Sequence, residues 1–160
     1  MRLIFSFLLL ATLLRAAAEY PQSGPDIYDP TADGTAQIET ALKQAKAENK
    51  RVLLKFGANW CSWCRALDGL MHTNTDVKAA LARDYVVVLI DVNTRKGVKR
   101  NEAVNLKYGN PIQHGLPVLV VLDANDQPLV TQETGILEEG KGHDPAKVLA
   151  FLTKWAPPSR

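Results

Sequence analysis

Cysteine is scarce in this 160-residue chain: there are two, Cys61 and Cys64. That excludes a framework of several disulfides. It also leaves a metal site at most three ligands, the pair and a distant histidine, with no second cysteine pair to complete it. Charge of one sign is lacking too. The 19 lysines and arginines less Arg2 and Arg15 of the leader leave 17, matching the 17 acids. A nucleic-acid partner would call for a basic patch, and none is expected here. Internal repeats and low-complexity segments are absent. So are long hydrophobic runs beyond the N-terminus. Leu3 to Leu14 is apolar except for Ser6 and Thr12, too short for a membrane helix of about 20 residues. Arg2 stands before it and Ala16-Ala17-Ala18 follows. Residues 1–18 thus read as a cleavable secretory signal peptide, and no cysteine follows the run to carry a lipid anchor. The expected location is periplasmic or secreted.

What is present centres on Phe56-Gly57-Ala58-Asn59-Trp60-Cys61-Ser62-Trp63-Cys64-Arg65. The apolar run Val52-Leu53-Leu54 leads into it and a helix-compatible segment to Met71 follows. A strand, a tight turn and a helix opening on Cys61 would hold that sulfur at the helix N-terminus. Free N–H groups and the positive end of the dipole stabilise an anion there, in this case a thiolate. Residues three apart on a helix face each other, so a small adjustment closes a disulfide. Such a short loop is a poor staple, and the pair is better explained by thiol–disulfide exchange.

Residues 19–30 carry three prolines and a glycine and read as an irregular segment draped on the surface. Residues 31–160 read as one domain. Ile38, Leu42 and Ala45 predict a helix over about 34–49. Val52–Phe56 reads as a buried strand interrupted only by Lys55. Val77–Leu81 reads as a short helix capped by Thr75, and Tyr85–Ile90 as a strand covered on both faces. Residues 93–100 form a basic loop, read as a solvated connection, with a steering patch for an acidic partner as the alternative. A helix at Asn101–Tyr108 stops at Gly109. Val118–Leu122 and Leu129–Thr131 form a hairpin around Asp123-Ala124-Asn125-Asp126-Gln127-Pro128. Asp144-Pro145 starts a closing helix with Val148, Leu149, Leu152 and Trp155 on its apolar face. The implied fold class is α/β: a central mixed sheet flanked by helices on both faces.

That order, with Trp60-Cys61-Ser62-Trp63-Cys64 after the first core strand and Leu116-Pro117 before the hairpin, resembles the thioredoxin superfamily over about residues 31–156. The motif is most similar to exported thioredoxin-like proteins with a WCxWC sequence. The resemblance implies Cys61 as an exposed attacking thiolate and Cys64 as a more buried resolving thiol. It implies Pro117 as the family's cis-proline beside the pair, with Leu116 before it tuning reactivity. Trp60, Ser62 and Trp63 fall at tuning or substrate-contact positions, and Gly135 at the loop near the substrate groove. Partners would be protein disulfides or dithiols, with a membrane-embedded electron donor or acceptor. The redox-active Cys61–Cys64 pair would need no metal and no organic cofactor.

Two departures stand out. Lys55 falls where thioredoxins keep a buried acid beneath the second cysteine; a cation there would favour thiolates, and its alternative is to reach an acid or solvent at the sheet rim. Trp63 replaces the family's proline or glycine, which leaves the direction of transfer open. His114 reads as a surface residue, and His72 and His143 as structural. Two other functions remain open on sequence: a non-catalytic binding module with a redox-switch disulfide, and a metal carrier.

Overall fold

The computed structural model describes residues 24–158; the expected signal peptide lies outside the described residues. Strand β1 (Arg51–Gly57) is central. It pairs in parallel with β2 (Tyr85–Asp91) on one side and antiparallel with β3 (Val118–Leu122) on the other, and β4 (Pro128–Glu133) closes the hairpin. The sheet is therefore the mixed one that the order of elements implied.

Alternation along β1 sorts its side chains onto two layers. Val52, Leu54 and Phe56 pack with Val120, Leu122 and Ile90 against Ile38, Ala41 and Ala45 of helix α1 (Gly34–Glu48). Val104 of α4 (Glu102–Lys107) joins the same layer. Leu53 points the other way. With Leu119 and Val121 it meets Leu67 and Met71 of α2 (Ser62–Thr73), Val77 of α3 (Thr75–Asp84), and Val148 and Leu152 of α5 (Pro145–Lys154). Because both faces are covered, the core strands read as unbroken apolar runs rather than as alternating ones.

Side-chain caps set where these helices begin. Asp33 accepts from the Thr35 and Ala36 N–H groups, and Asp144 from Lys147 N at 2.7 Å. The cap of α3 is Asn74, which accepts from Val77 N at 3.0 Å, and not Thr75. Asparagine outranks threonine at that position, and such a cap is worth about 1 kcal/mol. A short ladder unforeseen in the sequence, β5 (Glu138–Glu139) with β6 (Gly142–His143), links β4 to α5 and lies against α2.

The segment before α1 differs from expectation. Tyr28 is not draped on the surface; it is 1 % exposed, among the most buried side chains in the protein.

Candidate active site

β1 ends at Gly57, and Cys61 N–H donates to Ala58 O at 3.0 Å to close the turn into α2. Cys61 is itself the N-cap of α2: its Sγ accepts from Cys64 N–H at 3.1 Å. The sulfur thus sits where the first turn presents free N–H groups, an environment that stabilises a thiolate. Cys61 and Cys64 are joined as a disulfide. Cys61 keeps 5 % of its surface and Cys64 none. The outer sulfur is therefore less open than an exposed thiolate, but a partner arriving from solvent still meets it first.

Leu116 packs against the cysteine pair, and the Leu116–Pro117 peptide is cis. Pro117 is held from behind: Thr134 Oγ donates to its carbonyl at 2.6 Å. Gly135 follows that threonine and opens a single turn of 3₁₀ helix, Gly135–Leu137. Ser62 is exposed and Trp63 half-buried. Trp63 stacks edge-on against His143, with ring centroids 5.6 Å apart. Trp60 donates from Nε1 to Asn93 Oδ1 at 2.9 Å, and the Arg95 guanidinium lies 3.8 Å over its ring. The basic loop after β2 is therefore not simply solvated. One of its cations is stacked on the motif's own tryptophan. His114 is exposed in a turn before the cis peptide.

Lys55 reaches an acid. It lies on the Leu53 side of β1, fully buried, and its Nζ pairs with Asp68 Oδ1 of α2 at 2.5 Å. Burial pulls the ammonium below its ordinary value, and the hydrogen bond and charge of Asp68 oppose that. Of the two readings of Lys55, the structure shows the one in which it reaches an acid, and an ion pair projects a weaker field than a lone cation.

Two residues beside the pair are not marked as part of the site by the sequence. Asn59 is buried inside the motif, where its Oδ1 accepts from the Ile27 and Tyr28 N–H groups, both at 2.9 Å, and its Nδ2 donates to Tyr28 O at 2.9 Å. Arg65 donates to Asn59 O at 2.9 Å and to Pro25 O at 2.7 Å. The motif thereby straps the preceding segment across its own underside. The second is His143, whose sequence context points only to a structural role. Both of its ring nitrogens are buried without a partner, beside Trp63.

Burial and the nearby Lys55 charge hold His143 below its ordinary value of 6.5. The unfolded chain then binds a proton that the folded one refuses, so stability rises with pH in that range. The contribution is fully present above about pH 6.5 and is lost as pH falls from there through the folded value. Replacing His143 with Gln should flatten the fall in melting temperature between about pH 7 and 5 relative to the unmodified protein. Parallel pH curves for the two proteins would refute this.

A model described as thioredoxin-like matches residues 33–124, more than half the chain. The chain belongs to this thioredoxin-like family. A solved relative, the disulphide isomerase of Xylella fastidiosa Temecula1, is 36 % identical, with 80 % of this chain and 95 % of that one covered and a TM-score of 0.70. The C-terminal domain of DsbD from Neisseria meningitidis, in oxidised form, shares the fold at 22 % identity and a TM-score of 0.51, covering 78 % of this chain and 97 % of that domain. Among curated proteins, the thiol:disulfide interchange protein DsbD of Ralstonia nicotianae is 31 % identical over 83 residues, 52 % of this chain and 14 % of its own length. The thioredoxin-like chain thus spans only a small part of that relative.

Proposed function

We propose that this chain is an exported thiol–disulfide oxidoreductase that exchanges disulfides with protein partners through Cys61 and Cys64. The observation that carries the reading is the Cys61–Cys64 disulfide at the N-terminus of α2, graded in burial and flanked by Leu116. The similarity to a disulphide isomerase and to a thiol:disulfide interchange protein supports it. The sequence of residues 1–18 supports export.

In the reducing direction, Cys61 thiolate attacks one sulfur of a partner disulfide. That bond breaks, and the partner's other sulfur leaves as a thiolate and takes a proton. Cys64, having lost its proton, then attacks Cys61 Sγ and expels the first partner sulfur. Two electrons have passed to the partner, and the protein is left as the disulfide. The reverse sequence oxidises a dithiol. A chain with a single cysteine pair needs a source or sink for those electrons, and a membrane-embedded donor or acceptor fits an exported protein.

Equilibration with glutathione at defined ratios, followed by alkylation and mass measurement, tests the reading. One reversible two-electron couple is the expected result. A midpoint near about −270 mV assigns a reductase and one near about −120 mV an oxidase. A pair that fails to interconvert between dithiol and disulfide overturns the proposal.

A further inference from the structure

Tyr28 comes from the strapped segment and is buried at 1 % exposure, yet its hydroxyl has no hydrogen-bond partner. A buried polar group left unpaired is penalised and calls for an explanation. Its position supplies one. Tyr28 packs in a cluster with Cys61 and Cys64. Its hydroxyl oxygen and Cys64 Sγ both lie within 2.8 Å of the point where a Cβ on Gly57 would sit, so less than twice that distance separates them. Residue 57 has no side chain to stand between the two groups.

Other partners are accounted for. Lys55 Nζ lies over the tyrosine ring, 5.4 Å from its centroid, and is taken by Asp68. The tyrosine backbone is fixed by the Asn59 clamp, so its ring is presented from a rigid base. Burial, reinforced by the negative charges of Asp68 and Asp91, pushes the phenol well above its ordinary value and keeps its proton in place as a donor.

We propose that Tyr28 Oη donates a hydrogen bond to Cys64 Sγ when the pair is reduced, and so biases the equilibrium toward the dithiol. This rests on the exchange reading above. A disulfide sulfur is a weak acceptor, whereas a thiolate is a strong one and its hydrogen bonds are charge-assisted. The hydroxyl is therefore unsatisfied in the disulfide form; two electrons and two protons, drawn from two glutathione thiols that become glutathione disulfide, open the bond, and the hydroxyl is satisfied as Cys64 then releases its proton to solvent and becomes the thiolate acceptor. The same hydrogen bond holds the resolving thiolate aimed at Cys61 until the mixed disulfide forms.

The test is Tyr28→Phe, which keeps the ring and removes only the oxygen. Its glutathione equilibrium is measured at one pH beside the unmodified protein, together with the melting temperature of the disulfide form. Removing the donor destabilises the dithiol and relieves the disulfide of an unpaired hydroxyl, so both effects act in one direction. The equilibrium should move about tenfold toward the disulfide, a midpoint about 30 mV more negative. The disulfide form should melt no lower than before. A midpoint that stays within twofold in the equilibrium constant, or one that moves toward the dithiol, overturns the proposal. A protein whose unmodified cysteines never interconvert defeats the exchange reading itself. A normal couple that Tyr28→Phe leaves unchanged defeats only the role of the hydroxyl.

Discussion

Replacing Asp68 with Ala should lower the stability of the folded domain by about 3–5 kcal/mol, the range for removing one partner of a buried ion pair. Against a typical total of about 5–15 kcal/mol this is roughly a fifth or more of what holds such a domain together. The asymmetry of the pair sets the size. Lys55 Nζ is fully enclosed beneath α2, whereas the Asp68 side chain keeps 16 % of its surface and sits near His72. Loss of the carboxylate strands an ammonium with no route to water; loss of the ammonium leaves a carboxylate that reaches solvent. Lys55→Met should therefore cost much less, and Lys55→Met combined with Asp68→Ala should recover most of the single-variant loss. Urea titration of the four proteins closes the cycle. Equal losses in both single variants, with simple addition in the double, would show that the pair does not act as a unit.

The same pair shows where the sequence was legible and where it was not. β1 and β3 announce themselves because both faces of the sheet are covered, so their apolar runs are nearly continuous. The cysteine motif announces itself because its spacing has few other uses at a strand-to-helix junction. Lys55 broke the run, and its partner was within reach of pattern reasoning: Asp68 stands four residues after Cys64 and next to Leu67 on α2, one helical turn from a residue already placed inward. An acid bordering the buried stripe and a lysine inside a buried strand answer each other across the interface. Tyr28 was out of reach. Apart from Ile27 its neighbours are proline, glycine and acids, which describe a surface segment. What buries it is the Asn59 amide, which supplies Ile27 and Tyr28 with the backbone-like hydrogen bonds that an irregular stretch cannot make for itself. That is tertiary information carried by one polar side chain, and no periodicity encodes it. His143 was hidden for a related reason: the ladder that carries it against Trp63 has strands of only two residues each.

Cys61→Ser should abolish exchange, while Cys64→Ser should keep the first half of it. The difference follows from burial and from the helix terminus rather than from the chemistry of the two sulfurs. Cys61 is the residue with surface to offer, and its Sγ accepts the Cys64 N–H at the start of α2. In Cys64→Ser that backbone donor remains, so Cys61 stays a stabilised thiolate and attacks an added glutathione disulfide. The resulting mixed disulfide meets a hydroxyl in place of the resolving thiolate and accumulates, visible by mass as one glutathione per chain. In Cys61→Ser the remaining sulfur lies fully beneath the surface behind Leu116 and Tyr28. It should take up glutathione slowly, at a rate limited by local opening. Adducts forming equally fast on both variants would mean that the two positions do not differ in access, and the division of labour between an attacking and a resolving cysteine would have to be abandoned.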